Sequence, residues 1–129
     1  MNQEKAGHKV FFIDTYALYE LAVGNENYKA YFSGVKCITC IFNLYELYYS
    51  LLRENLPSAA ENFFDRFLPV CIKLEPQLIK EAAVFRLRNK KLKLSYADAL
   101  GYCAAKNHFA IFLTGDEAFR KMPNVEFVK

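Results

Sequence analysis

Apolar and polar positions follow two different rhythms along the chain. Val10-Phe11-Phe12-Ile13 is a short apolar run without alternation, which predicts a strand buried on both faces, as in a parallel sheet. Asp14 ends the run, and Thr15 to Ala22 predicts a helix closed by Gly24. Asn25 to Phe32 predicts a second short helix stopped by Gly34, and Lys36 to Ile41 a β-branched strand. From Phe42 to Arg53 the spacing turns helical, with Leu44, Leu47, Tyr48, Leu51 and Leu52 on one face. Pro57 sits where a further helix begins, continuing through Ser58 to Phe67, with Pro69 after it. Val70 to Leu74 predicts a third strand. Glu75-Pro76 opens a helix toward Asn89, and Leu94 to Asn107 a helix rich in small residues. Ala110 to Leu113 predicts a fourth buried strand, Asp116 to Lys121 a short helix, and Val125 to Val128 a last strand at an edge.

Strands alternating with helices predict an α/β fold of three layers, α/β/α, with a mostly parallel sheet of about five strands. The 129 residues fit one domain, 1–129, large enough to bury a core without disulfides or a structural metal. The hydrophobic fraction is 53% and the charged fraction 24%, which excludes a disordered chain. The most apolar stretch, Ile41 to Leu52, is broken by Asn43 and Glu46 and is too short to span a membrane. The polar opening MNQEKAGHKV has no apolar signal core, so four Cys are expected as reduced thiols in a cytoplasm. A net charge of +3 excludes a histone-like binder and a strongly acidic protein, and permits a nucleic-acid partner.

Only four of the 14 acids are Asp: Asp14, Asp65, Asp98 and Asp116. In parallel sheets, ligands bind outside the carboxyl ends of strands. Asp14 follows the first strand directly, and Asp116 follows Ala110–Leu113 after Thr114-Gly115. Helix capping competes as an explanation for each, because an Asp oxygen accepts orphan backbone N–H bonds and opposes the dipole. Ser95-Tyr96-Ala97-Asp98 matches the capping-box pattern, which explains Asp98 structurally. Glu46 lies mid-helix and cannot cap. It shares a face with Asn43, Ser50 and Arg53, which alone would read as a solvated stripe. Asp65, among Phe63, Phe64 and Phe67 with Arg66 beside it, reads as a surface residue.

Taken together, four segments resemble the PIN domain, and within it the small prokaryotic VapC-type toxins. They are VFFIDTYAL (10–18), NLYELYYSL (43–51), LKLSYADALGYCAA (92–105) and AIFLTGDEAF (110–119), in order and at matching spacings. The likeness extends over nearly the whole chain. The family's four acids fall on Asp14, Glu46, Asp98 and Asp116, and Thr114 matches its hydroxyl residue before the last acid. No motif position departs from the pattern.

Four carboxylates in one crevice repel one another. One pair about 4 Å apart costs roughly 1 kcal/mol in water and about 4 at an effective dielectric of 20. Hard oxygen ligands favour Mg²⁺ or Mn²⁺ as the neutralising cation. Such ions promote in-line phosphodiester hydrolysis without a protein nucleophile. The resemblance implies a metal-dependent endoribonuclease. In that reading Asp14, Asp98 and Asp116 hold the metal directly or through water, and Glu46 positions a metal-bound water. Thr15 and Thr114 support the acids or touch phosphate. The resemblance also implies a homodimer and a small VapB-like antitoxin laid as a helix along an apolar groove. The stripes Tyr45, Tyr48, Tyr49 and Phe63, Phe64, Phe67 offer one such face, with core packing as the alternative.

Arg86, Arg88, Lys90, Lys91 and Lys93 form the densest basic stretch and lead into the helix of Asp98. They are candidates for tracking an RNA backbone, against the alternative of a solvated helix end. Cys37-Ile38-Thr39-Cys40 has CxxC spacing, but Cys71 and Cys103 are isolated and supply no second pair for zinc. Residues three apart in a strand face opposite ways, so all four Cys read as core fillers. His8 and His108 are isolated, and no Ser-His-Asp set or phosphate loop is present. Three rivals remain open. One is a PIN nuclease of RNA processing or decay without an antitoxin. Another is a PIN-like binding module without catalysis. The third is a phosphoacceptor receiver domain, against which Thr15 counts, since it stands where a second acid is expected.

Overall fold

The computed structural model describes residues 9–129. Residues 1–8 of the polar opening, His8 among them, lie outside the described residues. Four strands form one all-parallel sheet: β1 (Val10–Ile13), β2 (Lys36–Ile38), β3 (Ile111–Thr114) and β4 (Val125–Phe127), in the order β2-β1-β3-β4. Six α-helices surround it: α1 (Thr15–Ala22), α2 (Glu26–Lys29), α3 (Ile41–Arg53), α4 (Pro57–Phe67), α5 (Pro76–Arg88) and α6 (Tyr96–Asn107).

The uninterrupted apolar runs of β1 and β3 are explained by burial on both faces. Phe12 and Phe112 point to one side, stacked at 5.8 Å, into a core with Leu78 and Ala82 of α5 and the small residues of α6. Phe11, Ile13 and Leu113 point to the other, against Ala17 and Leu18 of α1, Leu44, Leu47 and Leu51 of α3, and Ala60 and Phe67 of α4. The period of 2 thus divides one strand between two cores, giving the expected α/β/α layering. The strand expected over Lys36–Ile41 ends at Ile38, and Cys40 takes the N-cap position of the helix that begins at Ile41; Cys37 still packs against the second core and Cys40 against the first. Cys71 and Cys103 are also free, and Cys71 is half-buried.

The third strand expected, Val70–Leu74, is not formed, which leaves four strands rather than five. Leu68–Val70 makes a single 3-10 turn, and Cys71 contributes one parallel bridge to Thr39. Pro69 lacks an N–H, and Pro76 opens α5 only a few residues later, so little backbone is free to pair. Helix ends also differ from expectation. The basic stretch contains a 3-10 turn, Lys90–Leu92, before α6 begins at Tyr96. The helix expected from Asp116 is one 3-10 turn, Glu117–Phe119. The aromatic stripe of α3 and α4 is mostly core: Phe67 is buried, and Tyr48 packs edge-on to Phe64 while its hydroxyl donates to Glu61. Tyr45 and Tyr49 stay exposed, and so does Leu52, which the helical face placed inside.

No helix among the described residues is long and apolar enough to cross a membrane.

Candidate active site

β1 and β3 lie side by side, yet the chain leaves β1 toward β2 on one flank and continues from β3 to β4 on the other. Connections diverging from such a pair open a crevice at the carboxyl ends of the strands. Asp14 stands at the end of β1, Thr114 is the last residue of β3, and Asp116 follows two residues later.

Asp14 is only 1% exposed. It occupies the N-cap position of α1, but its side chain makes no capping bond. Oδ2 accepts from the Thr114 hydroxyl at 2.7 Å, while Oδ1 is buried without a hydrogen-bond partner. Capping therefore does not explain this carboxyl, and an unpaired buried acceptor is costly in a structural role. Burial, then the charge of Asp98, pushes its pKa up to about 8. The Thr114 hydroxyl and the nearby Thr15 N–H oppose the shift, and Asp116 adds to it.

Asp98 and Asp116 do cap. Asp98 N–H donates to Ser95 Oγ at 3.0 Å, and Asp98 Oδ2 accepts from Ser95 N–H at 2.8 Å, completing the capping box. Asp98 is nonetheless drawn into the acidic group. Burial raises its pKa, the charges of Asp116 and Glu46 raise it further, and the Ser95 bonds oppose them. Asp116 Oδ1 accepts from Ala118 N–H at 3.0 Å, and Asp116 N–H donates to Thr114 Oγ1 at 3.0 Å. One hydroxyl thus ties Asp14 to the backbone of Asp116.

Glu46 projects from α3 and is held from α1, its Oε1 accepting from the Thr15 hydroxyl at 2.8 Å. Thr15 Oγ1 in turn accepts from Asn43 Nδ2 at 3.0 Å, and the Cys40 thiol donates to Asn43 Oδ1 at 3.1 Å. Asn43 is fully buried, so the stripe it shares with Glu46 is not the solvated face that helical spacing suggested. Cys40 is more than filler, since its thiol closes this chain. The available signal was an Asn flanked by core positions, Leu44 and Leu47, one turn before the acid.

The donors gathered here are carboxylates and hydroxyls, hard oxygen ligands suited to Mg²⁺ or Mn²⁺. The unpaired Asp14 Oδ1 is an acceptor that a cation would satisfy. Among the described residues, no three His, Cys, Asp or Glu side chains are grouped so as to hold one ion by themselves. The set fits an ion that keeps part of its water shell and takes one or two carboxylates directly, as Mg²⁺ commonly does.

The sequence profile of the PIN domain matches residues 11–125. The chain belongs to the PIN domain family. Several solved structures share the fold. VapC20 of Mycobacterium tuberculosis, described as a Sarcin-Ricin loop cleaving toxin, is 19% identical with a TM-score of 0.74, covering 92% of this chain and 96% of that one. A toxin–antitoxin complex from Klebsiella pneumoniae is 17% identical with a TM-score of 0.70, covering 89% and 94%. VapBC2 from Rickettsia felis, bound to a DNA fragment from its promoter, is 16% identical with a TM-score of 0.67, covering 92% and 97%. No curated protein matches the chain.

In this PIN domain the basic candidates divide. Arg86 is half-buried, its Nε donating to the Leu94 carbonyl at 2.8 Å and its guanidinium lying over the Tyr96 ring at 4.3 Å. Lys90 and Lys93 border the same cleft as Arg86 and Tyr96. Lys91 is exposed. Arg88 faces another groove, with Glu81 and Lys106. Asp65 is exposed.

Proposed function

We propose that this PIN domain is a VapC-type endoribonuclease dependent on Mg²⁺ or Mn²⁺, and the toxin of a toxin–antitoxin pair. The observation that carries the reading is Asp14: a buried carboxyl at the switch point of the sheet, with one oxygen unpaired and Asp98 and Asp116 near enough to shift its titration. Asp14, Asp98 and Asp116 would hold the ion directly or through water, and Glu46 through water. When bound, the ion supplies charge neutralisation at the scissile phosphate. Glu46, fixed by Thr15 and Asn43, orients the attacking water and accepts its proton. Thr114 keeps Asp14 in place. Arg86, Lys90, Lys91 and Lys93 hold the RNA backbone as it approaches the acids, and Arg88 contributes from the neighbouring groove.

The toxin reading draws support from structural neighbours, one a toxin–antitoxin complex and one a Sarcin-Ricin loop cleaving toxin. It implies a small VapB-like antitoxin as partner and a homodimer as the working form. Induced expression in a bacterial host tests it. Growth is expected to arrest with loss of intact RNA, while Asp98→Asn grows like the empty vector. Unimpeded growth with soluble wild-type protein accumulating would contradict the toxin reading.

A further inference from the structure

The backbone from Thr114 to Glu117 carries Asp116 and is gripped from outside the acidic group, by the two residues that follow β4. Val128 N–H donates to the Thr114 carbonyl at 2.9 Å, extending the pairing of β4 with β3. The Lys129 ammonium donates to the Gly115 carbonyl at 3.0 Å and lies 3.5 Å from Glu117 Oε2. One ammonium thus touches the residue before Asp116 and the residue after it. Gly115 admits this close approach, since a Cβ there would collide with the Val128 carbonyl and the Tyr16 ring.

Burial does not explain the fixed geometry of Lys129, because half of its side chain is open to water. Ordering so long a side chain costs rotamer entropy, which its contacts must offset. Its ammonium lies 5.2 Å from the centroid of the Tyr16 ring of α1. Its carbonyl accepts from Asn25 Nδ2 at the cap of α2, at 3.1 Å. The Val128 carbonyl accepts from the Tyr28 hydroxyl, and Glu126 Oε2 from the Tyr31 hydroxyl at 2.6 Å. Glu117 is already held by Arg120 at 2.8 and 2.9 Å, so the ammonium's shorter bond, to the Gly115 carbonyl, carries its role. Among the described residues Lys129 forms no salt bridge with Asp14, Glu46, Asp98 or Asp116, and so does not stand in for an ion. Asp116 Oδ1 is taken by Ala118 N–H, and Asp116 N–H by the hydroxyl that also holds Asp14. The Gly115 peptide is the link between those two acids that remains free to tilt, and Lys129 is the side chain that bonds it.

We infer that Lys129 is a positioning residue of the acidic group: its ammonium fixes the Gly115 peptide and thereby sets Asp116 beside Asp14 for the ion they share. This rests on the nuclease reading above. Partners that orient a metal ligand from outside commonly govern affinity as strongly as the ligands' own surroundings do.

The test titrates Mn²⁺ into the full chain, stripped with EDTA and free of RNA, and reads unbound Mn²⁺ by electron paramagnetic resonance. Lys129→Met, which keeps the apolar stem and removes the ammonium, is expected to weaken Mn²⁺ binding about tenfold. Lys129→Arg, which keeps a cationic donor, should bind within about threefold of wild type. Lys121→Met removes the same charge from an exposed lysine and should bind as wild type does. In cleavage assays Lys129→Met should need about tenfold more Mn²⁺ for half-maximal rate, with KM for RNA unchanged when Mn²⁺ saturates. Circular dichroism checks folding. If Lys129→Met does not fold, Lys129→Gln replaces it, with a loss of at least about threefold expected. A folded neutral variant that binds Mn²⁺ as wild type does overturns the proposal, whether its melting temperature falls or not. So does a raised KM with unchanged Mn²⁺ affinity, which would make Lys129 a contact for the RNA itself. A folded Lys129→Arg that binds as weakly as Lys129→Met overturns it too. Wild-type protein that cuts RNA despite such results leaves the nuclease reading standing. Wild-type protein that binds no Mn²⁺ and cuts no RNA removes that reading and this proposal with it.

Discussion

Asp14, Asn43 and Thr114 are buried polar side chains at the centre of the acidic group. Asp14 binds a proton more tightly when folded, since its pKa rises from 3.8 to about 8. Between those values the folded state carries more protons than the unfolded one, so stability falls as pH rises. Asp98 shifts the same way and adds to the slope. In EDTA, thermal melts should therefore move to lower temperature from pH 5 to pH 8, and Asp14→Asn should flatten that trend. Added Mg²⁺ should raise the melting temperature more at pH 8 than at pH 5, because an ion needs the deprotonated carboxyl. A wild-type melting temperature independent of pH would contradict the burial argument. Asn43→Ala removes the donor to the Thr15 hydroxyl and the acceptor of the Cys40 thiol, leaving Thr15 bonded to Glu46 alone. It should cost about 1–3 kcal/mol in urea unfolding and slow cleavage by loosening Glu46. Helical spacing was enough to put Asn43 and Glu46 on one face. It could not show that Thr15 of another helix covers that face, because the contact is made by the fold.

Helix α6 carries Asp98 and must lie close on the sheet to deliver it. Gly101 makes that approach possible: a Cβ there would sit 2.8 Å from Phe12 Cε1 and 3.2 Å from Phe112 Cε1. Ala in place of Gly favours a helix by about 1 kcal/mol. Overpacking against two stacked rings costs about 1–3 kcal/mol, so the contact wins. Gly101→Ala is expected to lower the urea midpoint and to reduce cleavage by pushing α6 away from β1, whereas a raised midpoint would show that the rings move aside. The strands of the site were legible because β1 and β3 are buried on both faces and leave no polar alternation. The capping box of α6 was legible for the same reason, as a local pattern. Val70–Leu74 misled, since its apolar run signals burial while Pro69 and Pro76 govern pairing. Which of three Asp residues is not a cap was also hidden. The Asp14 side chain is distinguished by a bond to Thr114, a hundred residues away.

Across the whole molecule the modest net charge conceals a segregation. Setting aside Asp14, Glu46, Asp98 and Asp116 leaves 17 basic side chains against 10 acidic ones, a balance of +7. The four proposed site acids come from β1, α3, α6 and the turn after β3, and the parallel topology draws those ends to one side of the sheet. The basic stretch ends at the cleft that Arg86, Lys90 and Lys93 share with Tyr96 at the start of α6, the helix of Asp98. A polyanion held by cations around an acidic, ion-requiring centre is the arrangement this charge pattern suits. Its most direct test is cleavage of single-stranded RNA by the purified protein with Mg²⁺, with Mn²⁺ and with EDTA, beside Asp98→Asn. An Asn oxygen can keep the bond from Ser95 N–H, so the variant should fold as the wild type does. Cleavage with either ion, none with EDTA and none by Asp98→Asn is the predicted result; cleavage that persists in EDTA or in the variant would contradict the account.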